Sequence, residues 1–261
     1  KYNANGGSGA PSNQPKWHGT NLTLSSTKPT RTGYTFQGWA TSASGSVVYA
    51  AGATYKSNAN ITLYAIWKIN TYTVSYNANG GSGAPSAQTK FFGETLKLSA
   101  NVPTKKGYNF LGWSVAADGS VDYDPAETYS DNSDLILYAV WEAKQFTVEF
   151  VTNGGTINGV GISEYTYGTG AILPGDVTFT GFDFAGWYED ELMQGVKVTE
   201  ITSTDYGNKK YYAAYTIADV VANGYTGEYD GAYHLVDFSL TDALKVPVEK
   251  YQWYFIPEGT N

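Results

Sequence analysis

Gly107-Tyr108-Asn109-Phe110-Leu111-Gly112-Trp113 decides the fold, because the same pattern stands twice more in the chain. It reads Gly33-Tyr34-Thr35-Phe36-Gln37-Gly38-Trp39 74 residues upstream, and Gly181-Phe182-Asp183-Phe184-Ala185-Gly186-Trp187 the same distance downstream. Other landmarks keep this spacing. Asn5-Gly6-Gly7 returns as Asn79-Gly80-Gly81 and as Asn153-Gly154-Gly155. Tyr64 returns as Tyr138 and Tyr212, and Trp67 returns as Trp141 and then Tyr215. Solenoid repeats run to roughly 20–50 residues, and this period is longer than that. It is also long enough to enclose a small core of its own. The chain therefore reads as separate units in a row, and the row bears on function. Enzymes rarely triplicate a whole active site in series, whereas spacers and multivalent binders do so readily.

Within each unit the local pattern is that of strands. Tyr72, Val74 and Tyr76 alternate with Thr73 and Ser75, the period-two signature of a half-buried strand. Residues 77–85 are rich in Asn, Gly, Ser and Pro, which marks a turn. Further strands are expected at 89–92, 95–98, 108–114 and 135–141, with Gly107 as the turn before the third. Phe146, Val148 and Phe150 then open the next unit. Asp124-Pro125-Ala126-Glu127 carries the cap, proline and glutamate of a helix start. Its sister stretches Ala50-Ala51-Gly52-Ala53 and Val198-Thr199-Glu200-Ile201 do not, so at most one helical turn is expected.

The boundaries follow. Residues 1–69 are a first unit without the strand lead-in that 71–74 gives the second, hence N-terminally truncated. Residues 70–144 and 145–218 are the second and third units, and from 219 the period fails. The joints at 68–71 and 142–145 contain neither Gly nor Pro, which restricts bending. Units roughly 30 Å across would then form a stiff monomeric rod on the order of 100 Å long.

The chain has no cysteine, so neither disulfides nor thiolate metal sites are available. Its cores must rest on aromatic and β-branched burial, which the 23 Tyr, 11 Phe and 7 Trp can supply. The net charge of −8 is unevenly spread. Residues 1–70 hold six Lys or Arg and no Asp or Glu, against five and eight in 71–144, and three and nine in 145–218. Charge that drifts between copies of one pattern suits a spacer, while a basic first unit could also touch an anionic polymer. No membrane-spanning segment or signal peptide is visible.

Catalytic and metal chemistry find little material. The two histidines are His18, in a unit without carboxylates, and His234, beyond the repeats. A Ser-His-Asp set is therefore unavailable in the first unit. Ser8 and Ser82 lie in glycine-rich turns that lack the nucleophile elbow of hydrolases. Asp118, Asp122 and Asp124 form a local acidic cluster of the oxygen-rich kind that binds calcium, but the first unit has Ser44 to Ala50 there, with no acid. Lys–Asn amide cross-links need a buried acid, which the first unit also lacks. Trp39, Trp113 and Trp187 keep one register while their surroundings change charge, as core residues do. Tyr64, Tyr138 and Tyr212 are expected to be partly exposed. Trp17 and His18 occur in the first copy alone. No catalytic, cofactor or metal residue is assigned, and no ligand-binding residue can be named.

The ordered motifs Asn-Gly-Gly, Gly-aromatic-x-Phe-x-Gly-Trp and Leu-Tyr-Ala-x-Trp resemble the Listeria–Bacteroides repeat, also called the internalin B-repeat. The last motif stands at Leu63-Tyr64-Ala65-Ile66-Trp67 and Leu137-Tyr138-Ala139-Val140-Trp141, with Tyr211-Tyr212-Ala213-Ala214-Tyr215 departing from it. The resemblance covers residues 1–218. It implies a β-grasp-like unit, repeated in tandem on secreted and cell-wall-anchored bacterial surface proteins, often adhesins. Glu228-Tyr229-Asp230-Gly231-Ala232-Tyr233-His234 looks like the opening of a bacterial immunoglobulin-like domain, so 219–261 reads as a partial one.

The expectation is a mainly β chain, α+β at most, that is extracellular and acts without catalysis or cofactors. Its work would be to project or multiply binding sites, as a structural spacer or adhesin segment. The alternatives are direct binding of a host glycan or surface protein, or an accessory role beside a secreted glycan-active enzyme. Neither nucleic acid nor membrane insertion is expected of it.

Overall fold

The computed structural model describes residues 1–217 as two compact units, one spanning Lys1–Glu142 and one beginning at Ala143. The suggested immunoglobulin-like stretch and His234 lie outside the described residues. Among those described there is no helix, and the architecture is β throughout.

The second copy shows the plan. Its opening strand Thr71–Asn77 pairs antiparallel with Gln88–Phe91 on one side and parallel with the closing strand Leu135–Ala143 on the other. The Gly-Trp strand Tyr108–Ser114 completes the sheet beyond the closing strand. First and last strands therefore lie side by side at the centre, as in a β-grasp. A short antiparallel pair, Leu96–Lys97 with Thr128–Tyr129, takes part in the crossover. The third copy repeats the order with Gln145–Val151, Glu164–Thr166, Lys209–Ile217 and Phe182–Tyr188. The first copy has three strands, Tyr2–Asn3, Leu63–Ile69 and Tyr34–Ala40.

The recurrence of Gly-Trp has a geometric cause. Along the Gly-Trp strand the register slips by one residue between Phe36 and Gly38, and again between Phe184 and Gly186. Strict alternation would put Phe36 and Trp39 on opposite faces; the bulge turns both inward. Gly38, Gly112 and Gly186 take φ of 149°, 157° and 143°, which side chains of L residues resist. A Cβ on Gly38 would also stand 2.9 Å from the Tyr49 carbonyl oxygen, and one on Gly112 3.1 Å from that of Tyr123. The bulge needs glycine, and the tryptophan behind it is aimed into the core. Each such ring removes roughly 150–250 Å² from water.

Each copy keeps its own interior. Trp39 packs with Leu24, Tyr55, Leu63 and Ala65; Trp113 with Val74, Leu98, Tyr129, Leu137 and Ala139. Trp187 sits with Val148, Tyr165, Leu173, Ile201, Tyr211 and Ala213. Edge-on rings extend the packing. Tyr2 and Phe36 flank Trp39 at 4.9 and 5.0 Å, and Tyr76 and Phe110 flank Trp113 at 4.9 and 5.2 Å.

Within Lys1–Glu142 the first two copies are joined through a single residue, Asn70, between strands Leu63–Ile69 and Thr71–Asn77. Its N–H donates to the Gly33 carbonyl at 2.9 Å, and its own carbonyl accepts from Phe92 N–H at 3.0 Å. The Thr35 hydroxyl donates to its side-chain oxygen at 2.7 Å. The Phe92 ring lies against Gly33, filling the place a Cβ would take. A joint with its backbone and side chain both bonded has little freedom to swing.

Asp124-Pro125-Ala126-Glu127 forms a turn and no helix. The bond foreseen for a helix start is made, since Asp124 N–H donates to Glu127 Oε2 at 2.7 Å. Ala126, however, adopts φ 64°, which ends the turn before it can propagate.

Candidate binding surface at the Asn-Gly-Gly turn

Asn5, Asn79 and Asn153 occupy left-handed backbone, with φ of 47°, 49° and 48°. Asparagine tolerates that region better than other side chains. The amide nitrogen of Asn5 donates to Ala43 O at 2.7 Å and Ala65 O at 2.9 Å, and Asn79 does the same to Ala117 and Ala139. Asn153 reaches Ala213 O at 2.9 Å. The turn is thereby tied to the closing strand in every copy. The second glycine lets an aromatic ring lie against the backbone: Trp67 on Gly7, Trp141 on Gly81 and Tyr215 on Gly155. Trp67 and Trp141 donate their indole N–H to Ala4 O and Ala78 O, both at 3.0 Å. Tyr215 donates its hydroxyl to Thr152 O at 2.7 Å. The departure from Trp at this position thus keeps the same bond to the same turn.

Beside each turn is a slot filled by three different side chains. In the first copy the Arg31 guanidinium carbon lies 3.8 Å above the Tyr34 ring centre. In the second, Lys105 Nζ is 4.4 Å from Tyr108 and 5.8 Å from Trp141. In the third, Phe179 stacks on Phe182 at 4.7 Å and meets Tyr215 edge-on at 5.1 Å. Around Arg31 a shallow groove of about 710 Å³ opens, lined by the Asn-Gly-Gly turn, Ser8, Thr30, Thr32 and the rings of Tyr34, Phe36 and Trp67. This slot went unnoticed in the sequence because its occupant changes chemical class between copies.

The other sequence candidates have structural partners. Ser8 and Ser82 bridge to Thr30 and Thr104 through paired backbone hydrogen bonds. Asp122 accepts from the Ser114 hydroxyl and Val115 N–H at 3.1 and 2.8 Å, which holds the loop after the Gly-Trp strand. No group of acids and histidines fit to hold a metal occurs among the described residues. Trp17 and His18 lie exposed on a loop, while Tyr64, Tyr138 and Tyr212 are half-buried. Trp39, Trp113 and Trp187 are buried, so they form no row of exposed rings.

Two lysines do meet asparagines. Lys90, 1% exposed, donates to Asn132 Oδ1 at 2.9 Å, and Lys16 to Asn58 Oδ1 at 3.0 Å. The same oxygens accept Gly93 and Gly19 N–H at 2.9 Å. The amine addresses the amide oxygen, already doubly engaged, as a clamp between loop and loop. In the third copy Tyr165 takes this place, paired with Phe146 as Lys90 is with Tyr72, and donates to Gly207 O at 2.7 Å.

Ion pairs among the described residues are confined to the third copy. Lys209 bonds Asp205 at 2.8 Å and Glu189 at 3.1 Å. Lys209 and the Thr202 hydroxyl hold the Asp205 carboxyl down at about 2, from an ordinary 3.8. Its contribution to stability is complete above the ordinary carboxylate range and is lost as pH falls toward 2. The first copy, with no carboxylate, has nothing of the kind to lose.

The sequence profile of the Listeria-Bacteroides repeat domain matches residues 1–66, 72–140 and 146–214, one match for each copy. The chain belongs to this family. Among its relatives are two proteins of Evansella cellulosilytica, one named as a membrane protein and one as a Gly-rich membrane protein. They are 37% and 35% identical, each over 71% of this chain, and the match spans 26% and 21% of their lengths. Internalin H of Listeria monocytogenes is 33% identical over 52% of this chain and 25% of its own length. The chain thus spans about a quarter of the curated relatives it matches. No helix among the described residues is long and apolar enough to cross a membrane. As a Listeria-Bacteroides repeat array, the chain encloses an aromatic interior in each of its three copies, and the copies differ in charge.

Proposed function

We propose that this array is a non-enzymatic spacer on the surface of a bacterial cell, holding other parts of a longer adhesin-like protein away from the wall. The observation that carries this reading is the Asn70 joint. The first two copies are linked by one residue, bonded on both backbone sides and through its side chain, with Phe92 seated on Gly33. A chain selected merely to tether would have no use for such a connection. Burial of the three recurrent tryptophans supports the reading too, since these rings form no exposed row for a ligand. Relatives are named as membrane proteins and as an internalin, in keeping with an extracellular place for the array.

The test separates spacing from binding. A chain displayed on cells carries an epitope fused beyond its third copy, and a variant has Gly-Ser inserted on each side of Asn70. Both cores are untouched by the insertion. The spacer reading expects antibody access to the epitope to fall in the variant, as the hinge lets it fold back. Unchanged access, with access lost instead on substituting surface residues of single copies, would contradict it. A second reading, direct binding, is favoured by one observation only, the groove at Arg31.

A further inference from the structure

We propose that the groove beside the first Asn-Gly-Gly turn binds an acidic polysaccharide, with Arg31 as its contact to a sulfate or carboxylate. This adds a binding role to the spacer and does not rest on it.

The first argument is substitution within the molecule itself. The slot held by Arg31 is held by Lys105 in the second copy and by Phe179 in the third. Phe179 fills it by packing alone, between Phe182 and Tyr215. A cation is therefore not needed to build the turn, and its presence in two copies calls for a use other than packing.

The second argument is electrostatic. Arg31 takes no part in the ion pairs among the described residues, which all lie in the third copy. Residues 1–70 contain no Asp or Glu, so nothing in its own copy neutralises it. A guanidinium held with its carbon 3.8 Å from a tyrosine ring centre is positioned in advance, and its N–H edge matches the two oxygens of a carboxylate or sulfate.

The third argument is the lining. Ser8, Thr30 and Thr32 line the groove together with Arg31, the Ser8 and Thr30 hydroxyls 3.3 Å apart, and Phe36 and Trp67 line it as well. Polar groups that can meet sugar hydroxyls, beside rings that can meet a pyranose face, fit a saccharide better than a nucleobase stack. At about 710 Å³ the groove has room for a few sugar residues. A polymer could engage the Lys105 slot as well, and the two weak contacts would add by avidity.

The experiment uses the whole chain, with heparin as the sulfated probe, hyaluronan as the carboxylated one and single-stranded DNA as a polyanion without acidic sugars. Binding is followed at low and moderate salt. Arg31→Phe copies the third repeat's own solution, so the turn should fold, which an unchanged near-ultraviolet dichroism spectrum verifies. The expected result is heparin or hyaluronan binding that Arg31→Phe weakens at least about tenfold, the loss of one charge-assisted contact. Arg31→Lys should keep most of the affinity, and Arg31→Phe with Lys105→Phe should remove the rest. Binding of either saccharide that is the same in Arg31→Phe overturns the proposal, as does no binding by the native chain. DNA bound as tightly as the saccharides overturns the ligand class.

Discussion

Replacing Trp113 by alanine should destabilise the second copy by about 3–5 kcal/mol, the cost of emptying a fully enclosed aromatic site. Trp113 is fully buried, with Tyr76 and Phe110 edge-on against it. A small domain holds only about 0.05–0.15 kcal/mol per residue, so this loss is a large part of what one copy has. Hydrogen exchange reads the outcome. Amides of Val74, Leu137 and Ala139 should lose protection, while Val148 and Ala213, in the other compact unit, keep theirs. Trp113→Phe should be far milder, because the buried Trp113 indole N–H has no hydrogen-bond partner to lose. Trp187→Phe should cost about 1 kcal/mol more than Trp113→Phe, since Trp187 donates to Pro174 O at 2.7 Å. Equal effects of the two phenylalanine variants would count against a contribution from the Trp187 bond, and protection lost evenly along the chain would count against separate interiors.

The second large effect is expected at Gly81. A Cβ there would lie 2.6 Å from Thr104 O and 2.6 Å from Trp141 Cζ2, distances that neither backbone nor a bonded indole can relieve cheaply. Gly81→Ala should therefore cost about 2–3 kcal/mol, the range of overpacking in a filled site. Gly83→Ala is the control. Gly83 has φ 77° but open space about it, so only the backbone strain of about 1 kcal/mol remains. Thermal unfolding of the two variants compares them directly. A Gly83→Ala loss as large as that of Gly81→Ala would mean the ring does not rest where described.

Much of this was legible in the spacing. Gly-Trp in one register marked a buried tryptophan, and alternation at Tyr72, Val74 and Tyr76 marked the opening strand, which runs Thr71–Asn77. The Gly-Trp strand Tyr108–Ser114 falls where it was expected. Other features could not be counted out. The third copy carries one extra residue ahead of Tyr165, so the counterpart of Lys90 is Tyr165 by strand pairing and Glu164 by the period. The Lys90–Asn132 clamp joins residues 42 apart that no motif links. Arg31, Lys105 and Phe179 share a place but no chemistry, so the eye passes over them in a sequence. The capping residues at 124–127 made their bond and still gave a turn, because the following segment is drawn into the Thr128–Tyr129 strand.

Rigidity of the link between the first two copies is the claim on which the spacer reading stands, and a distance distribution measures it. The chain has no cysteine, so Ser44→Cys and Asp118→Cys, both on exposed loops, place one spin label in each of these copies. Double electron–electron resonance on this pair should give a single narrow distance. Gly33→Ala, whose Cβ would collide with the Phe92 ring, should broaden it. A broad distribution in the chain with Gly33 intact would mean that the copies swing freely about Asn70, and the spacer account would be wrong.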